Sequence, residues 1–141
     1  MKDNEVKKAL EKTVTTWGGA FAFEMGRPWK QIVKEWRSKG GIIVHLTAYG
    51  ENIHISDVIE RIRSLGRDVL VVVGSQKVPK EFFSSDVSDF NVAVGNQPHS
   101  EISSLAVFLD RLYQGKELGM EFNGARLRII PQKHGKRVSR S

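Results

Sequence analysis

Three short apolar runs, at residues 42–46, 69–73 and 90–94, constrain the fold of this chain more than any other feature. Each run has the length of a strand and is apolar at consecutive positions, which is typical of strands buried on both faces. Segments with helical spacing lie between them. This alternation predicts an α/β fold with a mostly parallel sheet and helices on both faces.

Helical spacing is present at residues 2–17, 29–39, 58–65 and 100–113, and glycines follow the first three of these segments. The pattern also predicts a short strand at 20–24 and a loop at 47–52. Near the end of the chain, an Asn-Gly pair at 123–124 predicts a hairpin that joins residues 120–122 to residues 126–130.

Length and composition exclude several classes of protein. A chain of 141 residues fits one compact domain, and the absence of cysteine rules out thiolate catalysis, cysteine-based zinc sites and disulfides. Its apolar runs are too short to span a bilayer, and residues 2–12 are too charged for a signal peptide. We therefore expect a cytoplasmic protein with no membrane contact. The four histidines are too scattered to predict a metal site.

The positive charge is concentrated at the end of the chain. The net charge is +6, with 22 Lys and Arg against 16 Asp and Glu. Six basic residues and no acidic residue lie in the last sixteen positions, namely Arg126, Arg128, Lys133, Lys136, Arg137 and Arg140. This pattern is typical of contact with a polyanion such as nucleic acid, and equally of a solvated tail that increases solubility.

Two loops that begin with glycine are the predicted ligand site. Residues 74–80 follow one predicted strand and residues 95–100 follow another, and ligands of parallel sheets bind beyond the carboxyl ends of strands. Neither loop is a P-loop or a dinucleotide-binding motif. Ser100 fits the N-cap of the next helix better than a nucleophile, because no acid–base partner can be placed beside it.

Five segments together resemble one family. They are Val-Val-Val-Gly-Ser-Gln-Lys-Val-Pro at 71–79, Asn-Val-Ala-Val-Gly-Asn-Gln-Pro-His-Ser-Glu at 91–101, Leu-Ala-Val-Phe-Leu-Asp-Arg-Leu at 105–112, His-Leu-Thr-Ala-Tyr-Gly at 45–50 and Ala-Arg-Leu-Arg-Ile-Ile-Pro at 125–131. The chain thus resembles the archaeal tRNA cytidine-56 ribose 2′-O-methyltransferases of the knotted SPOUT class. The resemblance extends over nearly the whole chain.

The resemblance implies an S-adenosylmethionine-dependent enzyme, a homodimer with a C-terminal trefoil knot, in which residues 1–131 form one domain and residues 132–141 a flexible basic tail. The implied cofactor-binding residues are Leu46, Gly74, Ser75, Gln76, Lys77, Val78, Val92, Ala93, Val94, Gly95, Asn96, Gln97, Pro98 and His99. The implied tRNA-binding residues are Arg126, Arg128, Lys133, Lys136 and Arg137.

The resemblance also implies a difference at the beginning of the chain. The family starts with a strand and an Arg-bearing loop, and that Arg is its usual candidate for activating the 2′-hydroxyl. The sequence from Met1 starts at the helix that follows. We therefore expect the first family strand to be missing and assign no catalytic residue. We expect the chain to bind the cofactor and to methylate tRNA poorly or not at all, and the alternative is a non-catalytic cofactor- or RNA-binding form of the same fold.

Overall fold

The computed structural model describes residues 2–74 and 78–140. The chain divides into two compact units, one formed by Pro28–Gly119 and the other by the described residues up to Arg27 and from Met120 onward. The helices are α1 (Lys2–Trp17), α2 (Trp29–Ser38), α3 (Val58–Ser64) and α4 (Glu101–Leu112), and the strands are β1 (Ile42–Asn52), β2 (Val69–Val73), β3 (Phe90–Ala93), β4 (Leu127–Ile130) and β5 (Arg137–Arg140). Short 3₁₀ turns occupy Lys80–Phe83 and Lys116–Gly119.

The larger unit contains a parallel sheet in the order β2-β1-β3, which confirms the predicted α/β fold. The first half of β1 is buried, and its residues alternate between two apolar cores. Ile42, Val44 and Leu46 lie on one face of the sheet and pack with α3 and α4. Ile43 packs on the other face with Val33 of α2 and with Phe82. Both faces of the sheet are therefore covered, as the consecutive apolar residues predicted.

The strand register brings the two Gly-led loops to one edge of the sheet. Leu46 in β1 lies opposite Val73 of β2 and opposite Val92 of β3. Gly74 follows Val73 directly, and the loop at 95–100 begins shortly after β3. The two loops therefore leave the sheet on either side of Leu46.

A bulge in β1 lies at this same edge. Pairing with β3 stops at Leu46 and resumes at Glu51, with Val92 opposite both residues, so residues 47–50 leave the ladder. The sequence predicted a loop over 47–52, whereas β1 continues to Asn52. Gly50 permits the bulge because a Cβ at this position would collide with the backbone of Asn91 and Val92.

The smaller unit consists of α1 and the antiparallel pair β4–β5. Helix α1 ends at Trp17 because Gly18 has φ of +87°, and a Cβ on Gly18 would lie 2.8 Å from the Asn123 carbonyl oxygen. The backbone N–H of Gly19 donates to the same oxygen at 3.0 Å. These contacts attach the Asn-Gly turn to the end of α1.

Three predictions for this unit differ from the structure. The predicted strand at 20–24 is irregular. The predicted hairpin is wrong: β4 pairs with β5, not with residues 120–122, since the Asn123 carbonyl is bonded to Gly19 rather than across a hairpin. Residues 137–140, assigned from the sequence to a flexible tail, form β5. Gly135, with φ of +76°, lies in the turn between β4 and β5.

Within residues 2–74 and 78–140, no helix combines the length and the apolar character needed to cross a membrane.

Candidate active site

A cavity of about 890 Å³ lies at the sheet edge where the two Gly-led loops meet the bulge of β1. Its volume falls within the range of roughly 300–1,000 Å³ that is usual for small-molecule sites. Six of the residues predicted from the sequence line it, namely Leu46, Gly74, Val78, Asn96, Pro98 and His99. The cavity therefore lies where parallel sheets bind their ligands.

The other predicted cofactor residues have different positions. Val92 and Ala93 are buried in β3, and Val94 packs against the core beneath the cavity. Gly95 and Gln97 belong to the second loop but do not line the cavity. The remaining three, Ser75, Gln76 and Lys77, lie outside the described residues.

The cavity is also lined by residues that were not predicted from the sequence to belong to a site. These are His45, Thr47, Ala48, Tyr49, Phe83, Glu101 and Ser104. Three of them lie on the bulge of β1, and the segment at 45–50 that contains them was recognisable only as a family motif. Ser104 lies on α4 one turn after its N-cap. Its helical spacing from Ser100 could have shown that both residues face the same loop.

Asn96 connects the second loop to the bulge. Its side-chain Nδ2 donates to the carbonyl oxygens of Ala48 at 2.8 Å and Gly50 at 3.1 Å. Its Oδ1 accepts from Nδ2 of Asn52 at 3.0 Å. Carbonyl groups that left the sheet ladder thus regain donors, and one amide side chain holds two walls of the cavity together.

His99 is held by the start of α4. Ser100 is the N-cap of this helix, as predicted, and its side chain accepts from the backbone N–H of Ser103 at 3.1 Å. The buried hydroxyl of Ser104 lies 3.2 Å from the Ser100 carbonyl oxygen and 2.7 Å from Nδ1 of His99. Nδ1 is also 3.4 Å from that carbonyl oxygen.

These distances favour one tautomer of His99. When the Ser104 hydroxyl donates its single hydrogen to the Ser100 carbonyl oxygen, the hydroxyl oxygen accepts from Nδ1–H of His99. In that tautomer Nε2 carries the lone pair. The cavity is therefore lined by a histidine whose second nitrogen is an acceptor.

A buried histidine forms the base of the cavity. His45 is 1% exposed, and its Nδ1 lies 2.9 Å from Oδ1 of Asn91, whose Nδ2 donates to the carbonyl oxygen of Phe83 at 3.0 Å. Burial lowers the pKa of His45 below its ordinary value of 6.5, although hydrogen bonds to Asn91 and the Phe82 backbone oppose the shift. The imidazole is therefore neutral at pH 7.

The two loop glycines have different surroundings. A Cβ on Gly74 would collide with the side chain of Val78, so the first loop needs glycine where it folds back on itself. A Cβ on Gly95 would meet only the ring of His99, at 3.9 Å. The side chain of Val78 therefore lies close against the backbone of Gly74, whereas Gly95 has room for a small side chain.

The predicted RNA-binding residues lie in the smaller unit. Arg126, Arg128, Lys133, Lys136 and Arg137 are all exposed. Arg128 and Arg137 lie on the same face of the β4–β5 ladder, since the residues opposite them are Ser139 and Ile130. A carboxylate oxygen of Glu121 is 3.6 Å from Nη1 of Arg128. The two strands and their turn thus form an exposed basic surface.

The parallel sheet and the cavity beyond its strand ends define an α/β domain with a cavity of the size that small-molecule ligands occupy. A family model described as tRNA ribose 2′-O-methyltransferase, aTrm56, matches residues 17–139. The chain belongs to this family.

Relatives named tRNA (cytidine(56)-2′-O)-methyltransferase align over nearly its whole length. The relative from Thermococcus kodakarensis is 52% identical, and the alignment covers 97% of this chain and 75% of the relative. The relative from Methanopyrus kandleri is 50% identical, with 98% and 75% covered. The relative from Staphylothermus marinus is 49% identical, with 98% and 72% covered.

Proposed function

We propose that the protein binds S-adenosylmethionine in the cavity beside Leu46 and transfers its methyl group to the ribose 2′-hydroxyl of cytidine 56 in tRNA. One observation carries the proposal. In a chain that belongs to the tRNA ribose 2′-O-methyltransferase family, both Gly-led loops meet at a cavity of about 890 Å³. The relatives' names supply the nucleotide.

The lining of the cavity fits the parts of this cofactor. An adenine ring needs apolar surface and in-plane hydrogen-bonding groups, and Leu46, Val78 and Pro98 supply apolar surface. The carboxylate of Glu101 and Nε2 of His99 can accept hydrogen bonds from an ammonium group or from ribose hydroxyls. We propose that all fourteen residues predicted from the sequence either contact the cofactor or form the backbone that supports those contacts.

When bound, the cofactor would supply a methyl group on a positively charged sulfur. The ribose oxygen would form the C–O bond as the C–S bond breaks, S-adenosylhomocysteine would leave as the neutral thioether, and the hydroxyl proton would pass to water. The protein must hold the oxygen in line with that methyl group and restrict water. The Asn96 bridge fixes the bulge against the second loop. This fixed wall allows the cavity to orient both reactants.

We further propose that the basic surface of β4–β5 binds the phosphates of tRNA through Arg126, Arg128, Lys133, Lys136 and Arg137. All five side chains are exposed and can reach phosphates, although Arg128 also pairs with Glu121. Phosphate contacts determine position rather than sequence. The tRNA must therefore be selected by other contacts as well.

Family membership supports three finer proposals: a knotted SPOUT fold, residues 1–131 acting as a single methyltransferase domain in a homodimer, and a cytoplasmic location. Sedimentation of the purified chain tests the dimer. A monomer at the concentrations that support activity would refute it.

Titration calorimetry with S-adenosylmethionine tests the cofactor site. We expect one site per chain in the wild-type protein and weaker binding in Gly74→Val, because the added side chain would displace Val78. Gly119→Val is the matched control, since Gly119 is exposed, its φ is not positive and a Cβ there meets nothing within 4 Å. Equal affinity in wild-type and a folded Gly74→Val protein would contradict the placement.

A further inference from the structure

A second cavity, of about 370 Å³, adjoins the first. Tyr49 and Phe83 line both cavities, so the two aromatic side chains form the boundary between them. The second cavity is also lined by the carboxylates of Glu51 and Asp89 and by Arg61. Whatever occupies the second cavity therefore lies next to whatever occupies the first.

Tyr49 is unusually exposed for a large ring in the middle of a strand. Its side chain is 88% exposed, whereas Ala48 and Gly50 on either side of it are half-buried. Its ring stands edge-on to that of Phe83, with centroids 6.1 Å apart and planes at 75°. The face of the ring is left open to a partner.

The backbone that presents Tyr49 is fixed on both sides. Asn96 donates to the carbonyl oxygens of Ala48 and Gly50, and Gly50 packs directly on the backbone of β3. Bulges redirect side chains and are common beside active sites. The exposure of Tyr49 is therefore imposed by the backbone around it.

Phe83 is fixed from below. Its ring lies edge-on to the buried His45 ring at 4.9 Å, and its carbonyl oxygen accepts from Nδ2 of Asn91 at 3.0 Å. His45, Phe83 and Tyr49 thus form a series of rings that runs from the core to the surface. Such a series supports a planar ligand on its outermost ring.

From this arrangement we propose that the second cavity holds the base of the target nucleotide, stacked on Tyr49. The inference rests on the proposed function, since methyl transfer to a ribose hydroxyl requires the target nucleotide to be held beside the cofactor. Aromatic rings stack on bases of any sequence. Glu51 pairs with Arg61, and Asp89 accepts from the backbone N–H of Ile43 at 2.7 Å. Each carboxylate keeps further acceptor capacity, which suits the exocyclic amine of cytosine.

The test compares two variants on unmodified tRNA, Tyr49→Leu, which removes the ring but keeps apolar bulk, and Tyr49→Phe, which keeps the ring. We expect Tyr49→Leu to lower kcat/KM for tRNA by roughly 5- to 150-fold, the usual effect of removing one stacked base. Tyr49→Phe should retain most of the wild-type value. Tyr113→Leu, an exposed tyrosine after α4, is the matched control.

A second readout does not depend on turnover. A fluorescent cytidine analogue at the target position of the tRNA should change its emission on binding the wild-type protein and not on binding Tyr49→Leu. Methyl transfer by the wild-type protein with no deficit in Tyr49→Leu would overturn the base site alone. A loss of S-adenosylmethionine affinity equal to the loss of kcat/KM would also overturn it, since the ring would then serve the cofactor. No transfer and no change in emission would overturn the proposed function together with this site.

Discussion

Replacing Asn96 tests how the cavity is held together. Asn96→Ala removes three side-chain hydrogen bonds, two donated to Ala48 and Gly50 and one accepted from Asn52. Each such bond contributes about 0.5–1.5 kcal/mol net, and partial exposure favours the lower half of the sum, about 1.5–3 kcal/mol. Asn96→Asp keeps the accepted bond but places a carboxylate oxygen against two carbonyl oxygens. It should therefore cost more than the alanine substitution.

Two measurements show how the loss of these hydrogen bonds affects the protein. If residues 47–50 stay against the second loop in the absence of ligand, the loss lowers the free energy of unfolding in urea. If the bulge opens, the cost appears as a weaker Kd for S-adenosylmethionine in calorimetry, tenfold for each 1.4 kcal/mol. Gln31→Ala, on an exposed face of α2, is the control. An Asn96→Asp protein that matches wild-type in both measurements, or that is less affected than Asn96→Ala, would refute the bridging role.

Three further predictions concern other groups. Ser104→Ala should remove the acceptor for Nδ1–H of His99. The ¹⁵N chemical shifts of the His99 ring should then show a more even mixture of its two tautomers. Unchanged shifts would show that the Ser100 carbonyl oxygen alone is enough to hold the Nδ1–H tautomer. Because burial lowers the pKa of His45 in the folded state, the unfolded chain takes up this proton first, and stability present above about pH 6.5 should fall as the pH drops below it. His45→Gln should flatten that part of the urea-derived stability profile, and an identical slope would contradict the assignment. The double variant Lys133→Ala and Lys136→Ala should bind tRNA with a weaker salt dependence. The slope of log K against log salt should fall by about one unit for each phosphate contact that is lost. An unchanged slope would show that these lysines do not contact phosphates.

The central sheet was predictable because its strands are apolar on both faces. Residues 42–46, 69–73 and 90–94 correspond closely to the paired parts of β1, β2 and β3, and the glycines after the first three helical segments ended them as expected. The position of the cavity followed from the same pattern, since parallel strands place their carboxyl ends together. Local sequence patterns were enough to predict a helix or strand wherever its residues are buried in a regular way along its length.

The bulge and the terminal hairpin could not be predicted in this way. Residues 47–50 leave the ladder because Asn96, almost fifty positions later, supplies donors for their carbonyl oxygens. The Asn-Gly pair at 123–124 is a strong local turn signal. Its Asn123 carbonyl oxygen, however, accepts a hydrogen bond from the backbone N–H of Gly19, over a hundred positions earlier in the chain. Both outcomes depend on long-range partners that no local pattern contains. Three of the cavity residues that were not predicted, Thr47, Ala48 and Tyr49, lie on that bulge.

Mass spectrometry of unmodified tRNA after incubation with the protein and S-adenosylmethionine tests the central claim most directly. We expect one added methyl group, located by nuclease mapping on the ribose of cytidine 56, and none when the cofactor is left out. Methylation of a base, methylation of another nucleotide, or no methylation after prolonged incubation with a protein that binds the cofactor would contradict it.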